Sequence, residues 1–407
     1  VLPEIHGEIP GARSRALARR LGAVESPNVT YRSDAFPIFW ERASGTNVWD
    51  VDGNRFLDLT GAFAVASLGH SDPELVAAMS EQAERLLHGM GDVHPTEAKV
   101  LLCERLAALT FSRWGAGASK VILACSGSEA IEAALKTAFL ATGRSGVVSF
   151  EGAYHGVGYG PLAAGAMPRF RDPFAAQLAN FGTICAFGSD GLSKVESALS
   201  AGGTGAVLVE PVLGRGGKVV PDPDFLPGLR QLCDRYGAAL IADEIYCGLN
   251  RTGTLFACDH WGVVPDLICL GKALTGGFPL SACVGKAELM DAWPVSDGEA
   301  IHTSTFLGHP VGCAMALAAL DRHAEPELAD EVASRGACFR QALEGIDGIG
   351  EVRGLGLMLG LPLPPAIDSG GLIEAALRSG IITLADGPGG RVLAFAPAFA
   401  IDDSEIE

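Results

Sequence analysis

An α/β fold built on a mostly parallel sheet, with a smaller α+β unit after it, is what this sequence predicts, and three observations carry the prediction. Between about residues 119 and 290, short apolar runs alternate with helical stretches, the order from which parallel sheets are wound. Several of those runs are apolar without polar alternation, as a strand must be when helices cover both of its faces. The 407 residues, 48% hydrophobic and 19% charged, exceed the usual span of one compact domain and supply enough apolar side chain for a large core.

In chain order, residues 1 to about 45 hold a basic helical segment, Ala12 to Leu21, and a loop with Pro27 and Pro37, an arm rather than a core. Val48 to Asp58 alternates apolar and polar residues about Asp52-Gly53, a hairpin signal. Residues 73–88 and 95–110 read as amphipathic helices. The strand runs follow: Val121-Ile122-Leu123-Ala124, Val147-Val148-Ser149-Phe150, Ala206-Val207-Leu208-Val209, Ala239-Leu240-Ile241-Ala242 and Leu267-Ile268-Cys269-Leu270. A long helix starts near Pro310 and runs to about Arg322, and the remainder, including Val352 to Gly360, reads as the smaller unit.

Thirty Lys and Arg against 48 Asp and Glu give a formal charge of −18. That sign repels polyphosphate backbones and anionic lipid, so neither nucleic acid nor a membrane surface is an expected partner. No stretch approaches the ~20 unbroken apolar residues of a membrane span, and Val1 to Pro10 lacks a basic then apolar leader pattern. A cytoplasmic setting is expected. The ten cysteines are scattered singly with no Cys-x-x-Cys pair, which reads as reduced, buried thiols and predicts no metal site. Lysines number only seven, so one in an unusual setting carries information.

Three such settings recur at strand ends. Ser126-Gly127-Ser128-Glu129 follows the run 121–125 and opens a helix; its free backbone N–H groups can hold a phosphate, although the segment alone also suits a plain helix cap. Asp243 ends the run 239–242, where a carboxylate points into the crevice that binds ligands in open α/β sheets; an ordinary ion pair with an arginine is the alternative. Lys272 stands two residues beyond Leu270. An amine in apolar surroundings is more easily deprotonated into a nucleophile that condenses with an aldehyde. A phosphate cradle, a carboxylate and a nucleophilic amine match the three handles of pyridoxal 5′-phosphate: phosphate, ring nitrogen and aldehyde.

From Trp49 to Ile401 the chain resembles the class III (ω-amino acid type) pyridoxal-phosphate aminotransferases of fold type I. The resemblance rests on Val51-Asp52-Gly53-Asn54-Arg55-Phe56-Leu57-Asp58, Leu68-Gly69-His70, Ser126-Gly127-Ser128-Glu129-Ala130, Gly152-Ala153-Tyr154-His155-Gly156, Glu210-Pro211, Asp243-Glu244-Ile245, Arg251-Thr252-Gly253, Gly271-Lys272 and Ser304-Thr305-Phe306. It implies a seven-stranded, mostly parallel sheet in a large cofactor-binding domain over 59–310. An arm with part of the small domain would occupy 1–58, and a linking helix with the rest of the small domain 311–407.

The same resemblance implies that Lys272 forms the Schiff base and shuttles the substrate proton, and that Asp243 keeps the ring nitrogen protonated. Tyr154 and Ile245 would cover the two ring faces. Ser126, Gly127 and Ser128 would hold the phosphate, joined by Thr305 from a neighbouring subunit in a homodimer with composite sites. Tyr154-His155-Gly156 suits an ordinary turn with a core histidine equally well, and Arg251-Thr252-Gly253 a structural turn. Phe63 falls where relatives line the substrate pocket, though core packing would serve as well.

Relatives acting on amino carboxylates carry an arginine at the position of Ala394 here, and Glu210 matches the glutamate that pairs with it. An unpaired Glu210 would favour a cationic substrate. The expectation is ping-pong transfer between an amine, such as a diamine or amino sugar, and a keto acid. The alternatives are a 4-aminobutyrate or ω-amino acid transaminase, with Arg391 replacing the missing clamp, and a mutase, racemase or decarboxylase on the same scaffold. Relatives usually continue past Glu407 into a last helix, so a shortened small domain is expected.

Overall fold

The computed structural model describes residues 1–346 and 350–407. Its central sheet has seven strands in the order Ser119–Ala124, Ser281–Lys286, Leu267–Leu270, Ala239–Asp243, Thr204–Val209, Gly146–Phe150 and Gly182–Cys185. The five from Leu267–Leu270 to Gly182–Cys185 run parallel, and Ser281–Lys286 is antiparallel to both of its neighbours.

The uninterrupted apolar runs are explained by a core on each face. Leu208 and Ile241 pack with Ile131 and Ala134 of the helix Gly127–Thr142. Val207 and Leu240, one residue out of phase, pack with Phe225 and Leu229 of the helix Phe225–Tyr236. Each large side chain buried this way contributes roughly 1.5–3 kcal/mol.

Two strands differ from the sequence expectation. Gly182–Cys185 is short, and Ser281–Lys286 is Ser-Ala-Cys-Val-Gly-Lys, too poor in bulky β-branched residues to declare itself. Its conformation is imposed by register with a neighbour on each side. The helices foreseen over 73–88 and 95–110 are Pro73–Arg85, capped by the Asp72 carboxylate, and Glu97–Ala107, capped by the Thr96 hydroxyl.

Two four-stranded sheets flank this centre. Trp40–Ser44, Asn47–Asp50 and Arg55–Asp58 form antiparallel pairs, and Ile381–Ile382 joins them parallel to Arg55–Asp58. The Asp50 carboxylate accepts from the N–H groups of Asp52 and Asn54 to fix the turn, and Gly53 takes φ 90° there. The second sheet is antiparallel, from Arg353–Leu355, Met358–Pro362, Val392–Phe395 and Leu384–Asp386. Among the described residues, no helix is long and apolar enough to cross a membrane.

Candidate active site

Three neighbouring parts of the central sheet deliver chemistry to one edge. The helix cap at Ser126 follows the strand Ser119–Ala124, Asp243 ends its own strand, and Lys272 follows Leu267–Leu270. All three side chains line one cavity of about 330 Å³, together with Gly127, Ser128, Tyr154, Glu210 and Ile245. This is the carboxyl edge, where open α/β sheets leave a crevice.

At the helix start, the Ser126 hydroxyl accepts from the Glu129 N–H at 3.2 Å, and the Glu129 carboxylate accepts from the Cys125 N–H at 2.8 Å. The N–H groups of Gly127 and Ser128, two of the donors a helix leaves open, have no acceptor among the described residues. The Ser128 hydroxyl accepts from the Gly158 N–H at 3.0 Å. A Cβ on Gly127 would come within 2.9 Å of the Ile245 side chain, so glycine is what lets the helix start sit on Ile245.

Asp243 is 3% exposed. One carboxylate oxygen lies 2.7 Å from His155 Nδ1 and the other accepts from the Ile245 N–H at 3.1 Å. His155 Nε2 is buried without a partner among the described residues.

Lys272 opens a single 3₁₀ turn with φ 43°, a left-handed conformation that costs a residue with a Cβ about 1–3 kcal/mol and concentrates at functional sites. Its amine lies 4.6 Å from the centre of the Tyr246 ring. The side chain reaches the cavity, yet desolvation by the surrounding protein lowers its pKa, against the pull of the Asp243 and Glu210 carboxylates.

Glu210 was expected to present a free negative charge, and its surroundings differ. Its carboxylate accepts from the N–H groups of Tyr154 at 2.7 Å and Gly214 at 2.6 Å. Burial above all, with the Asp243 charge adding to it, pushes its pKa up to about 7. Arg391 is not brought into the cavity: its guanidinium donates to the carbonyls of Ile367 at 2.7 Å, of Leu363 at 3.1 Å and of Pro364. Phe63 is 58% exposed on left-handed backbone, outside the cavity wall, and Thr305 is exposed and likewise outside it. Arg251 is a structural tie, donating to the carbonyls of Leu357 and Pro397.

Four residues escaped the sequence reading. His155, by sequence, suits a core histidine. Tyr246 and Arg215 line the cavity without belonging to any recognised pattern. Lys218 is fully buried, 2.6 Å from Asp386 and 3.2 Å from the Tyr246 hydroxyl; the scarcity of lysine was the signal that could have found it.

Open N–H donors for a phosphate, a buried carboxylate for a ring nitrogen and an amine for an aldehyde thus share one cavity, and the donor set fits pyridoxal phosphate. The architecture is that of a fold type I pyridoxal-phosphate transferase. Residues 29–407 match the family model described as Aminotransferase class-III, and the chain belongs to that family.

The chain is 37% identical to the acetylornithine aminotransferase of Xanthomonas axonopodis pv. citri (strain 306) over 384 residues, 91% of this chain and 90% of that protein. The ornithine aminotransferase of Toxoplasma gondii superposes with a TM-score of 0.86 at 30% identity, covering 96% of this chain and 91% of its own. An amine transaminase from an uncultivated Pseudomonas species, in its pyridoxal-phosphate-bound form, gives a TM-score of 0.85 at 28% identity and covers 94% and 95%. The protein is an aminotransferase, and its cofactor is pyridoxal 5′-phosphate.

Proposed function

We propose that this aminotransferase moves an amino group between an amine lacking a nearby carboxylate, such as a diamine or amino sugar, and a keto acid, with Lys272 and Asp243 as the catalytic residues. The observation that carries the assignment of residues is the meeting of Lys272, Asp243 and the helix start at Ser126 in one cavity wall. When bound, the cofactor supplies an electron sink for the carbon that bears the amine. The Lys272 amine, made easier to deprotonate by desolvation, takes the proton from that carbon and returns it. The Asp243 carboxylate, oriented by His155 and the Ile245 N–H, holds a proton at the ring nitrogen. Gly127 and Ser128, beside Ser126, bind the phosphate, and Tyr154 and Ile245 confine the ring.

The substrate reading is supported by Ala394 in the strand Val392–Phe395 and by the commitment of Arg391 to backbone carbonyls. A second reading, transamination of an ω-amino acid, is favoured by the Arg215 guanidinium in the cavity wall.

The same proposal includes a homodimer in which Thr305 of a second copy completes the phosphate site. Its support is an exposed apolar band: Leu87, Met90, Ile301 and Phe306 are each more than half exposed, and the His88 and Phe306 rings, 5.3 Å apart, bring the two segments together beside Thr305. Ten free cysteines, most of them buried, support a reducing cytoplasmic setting.

The test is a donor screen on the holoenzyme, following its visible absorbance in single turnover. Diamines or amino sugars should discharge the band, and Lys272→Ala should slow turnover by about 10²–10⁴-fold. Full turnover in that variant would defeat the role of Lys272; discharge by glutamate and 4-aminobutyrate alone would defeat the substrate reading.

A further inference from the structure

Arg215 sits in the loop between Glu210 and Lys218, and its placement is over-determined. Its carbonyl accepts from the Gly387 N–H at 2.8 Å, and the preceding Gly214 N–H is held by Glu210. Its guanidinium lies 5.1 Å from the centre of the Tyr154 ring and 5.1 Å from that of Phe170. Stacking on aromatic faces leaves the N–H edge of a guanidinium free, and that edge matches the two oxygens of a carboxylate.

No carboxylate among the described residues takes up this edge. Arg215 forms no ion pair and donates no side-chain hydrogen bond there, although Glu210 and Asp243 share its cavity. Glu210 is occupied by two backbone N–H groups, and Asp243 by His155 and the Ile245 N–H.

Arg215 also lines an adjoining cavity of about 390 Å³, with Arg169, Phe170 and the segment Asp386–Gly390 in its wall. The carboxylate of that cavity, Asp386, is neutralised by Lys218 at 2.6 Å. Two guanidiniums therefore face a space whose own negative charge is already compensated. Such a field attracts an anion.

We infer that Arg215 is the carboxylate-recognition residue of this enzyme: it binds the keto-acid partner of the exchange, with the second cavity taking the distal part of a dicarboxylate. The inference rests on the aminotransferase reading above and names the group that replaces the clamp absent at Ala394. It also explains how one site serves both half-reactions, since an amine without a carboxylate need not engage Arg215.

The test is binding of glutarate, an unreactive dicarboxylate, to the holoenzyme, measured by calorimetry and by perturbation of the visible band. In Arg215→Gln the dissociation constant should rise roughly 10- to 100-fold, as for loss of a charged hydrogen bond. The visible band and unfolding midpoint should stay as in the wild type. Arg215→Lys keeps the charge without the fork and should weaken binding at least about fivefold, which preserves the test should Arg215→Gln not fold. Glutarate binding that changes less than fivefold in both, or no binding to the wild type, overturns the inference. Failure of the aminotransferase reading would show separately: no amine would discharge the wild-type band while glutarate binding still depended on Arg215.

Discussion

Ser126, Asp243 and Lys272 each stand within two residues of a strand of the central sheet, and each has a local tie: a cap to Glu129, a bond to the Ile245 N–H, a single turn after Leu270; Asp243 alone adds a remote one, to His155. Glu210, directly after the strand Thr204–Val209, opens a loop that also brings Arg215 and Lys218 to the same region, and the ties of this loop are remote. Glu210 holds the N–H of a residue 56 positions away, and Lys218 an aspartate 168 positions away. The difference teaches that one part of the wall is placed by the sheet, whereas the other places itself by contacts that also hold the sheets together. Substitution of Glu210 or Lys218, whose side chains carry those ties, should therefore cost more folding stability than substitution at the sheet edge.

The largest effect is expected at Lys218. Burial disfavours its charge, but Asp386 and Tyr246 hold its pKa above the usual lysine value. Lys218→Met removes the ion-pair partner that Asp386 has among the described residues, in a position only 11% exposed, and breaking such a buried pair costs about 3–5 kcal/mol. Urea unfolding should show that loss, and the double variant Lys218→Met/Asp386→Asn should recover much of it. A single variant within about 1 kcal/mol of the wild type would remove the distinction between the two parts of the wall.

Glu210 sharpens the comparison through pH. Its pKa is about 7 in the folded chain against 4.5 for the ordinary carboxyl, so the folded state binds the proton more tightly than the unfolded one. Its contribution to stability is complete below pH 4.5 and is lost as the pH rises through 7, by roughly 3 kcal/mol in all. Glu210→Gln cannot titrate. It also leaves one of the two N–H groups without an acceptor, at a cost of about 1–3 kcal/mol. The variant should therefore be less stable than the wild type at pH 5 and approach or pass it at pH 8. A wild-type-minus-variant difference that is flat across this range would show that burial does not govern Glu210. Glu244, pushed up to about 7 mainly by burial, is present in both proteins and cancels.

This division also marks what was legible in the sequence. The helix start at 126, the carboxylate at 243 and the lysine at 272 could be read because each follows an apolar run, and a strand end fixes where the next side chain points. The strands Gly182–Cys185 and Ser281–Lys286 could not, since their conformation comes from paired neighbours rather than from their own residues. His155 looked like core because its partner, Asp243, is 88 positions away. Arg391, an arginine beside the expected clamp position, carried no sign that three backbone carbonyls would consume it.

The smallest effect is expected at Ser128, where the two consequences of one substitution separate. Its hydroxyl accepts one hydrogen bond, from the Gly158 N–H in a part of the chain open to solvent, so Ser128→Ala should cost the apoenzyme no more than about 1 kcal/mol. The open N–H groups of Gly127 and Ser128 belong to the backbone and survive the change, and phosphate should still bind. Losing the hydroxyl removes one contact of several, and the cofactor dissociation constant should rise by about three- to tenfold. Equilibrium dialysis of pyridoxal phosphate beside apoenzyme unfolding reads both numbers. A destabilisation as large as that of Lys218→Met would mean that the helix start is held through Ser128 and Gly158 rather than by the strand before it, and the contrast between sheet edge and loop would fail where it is simplest to measure.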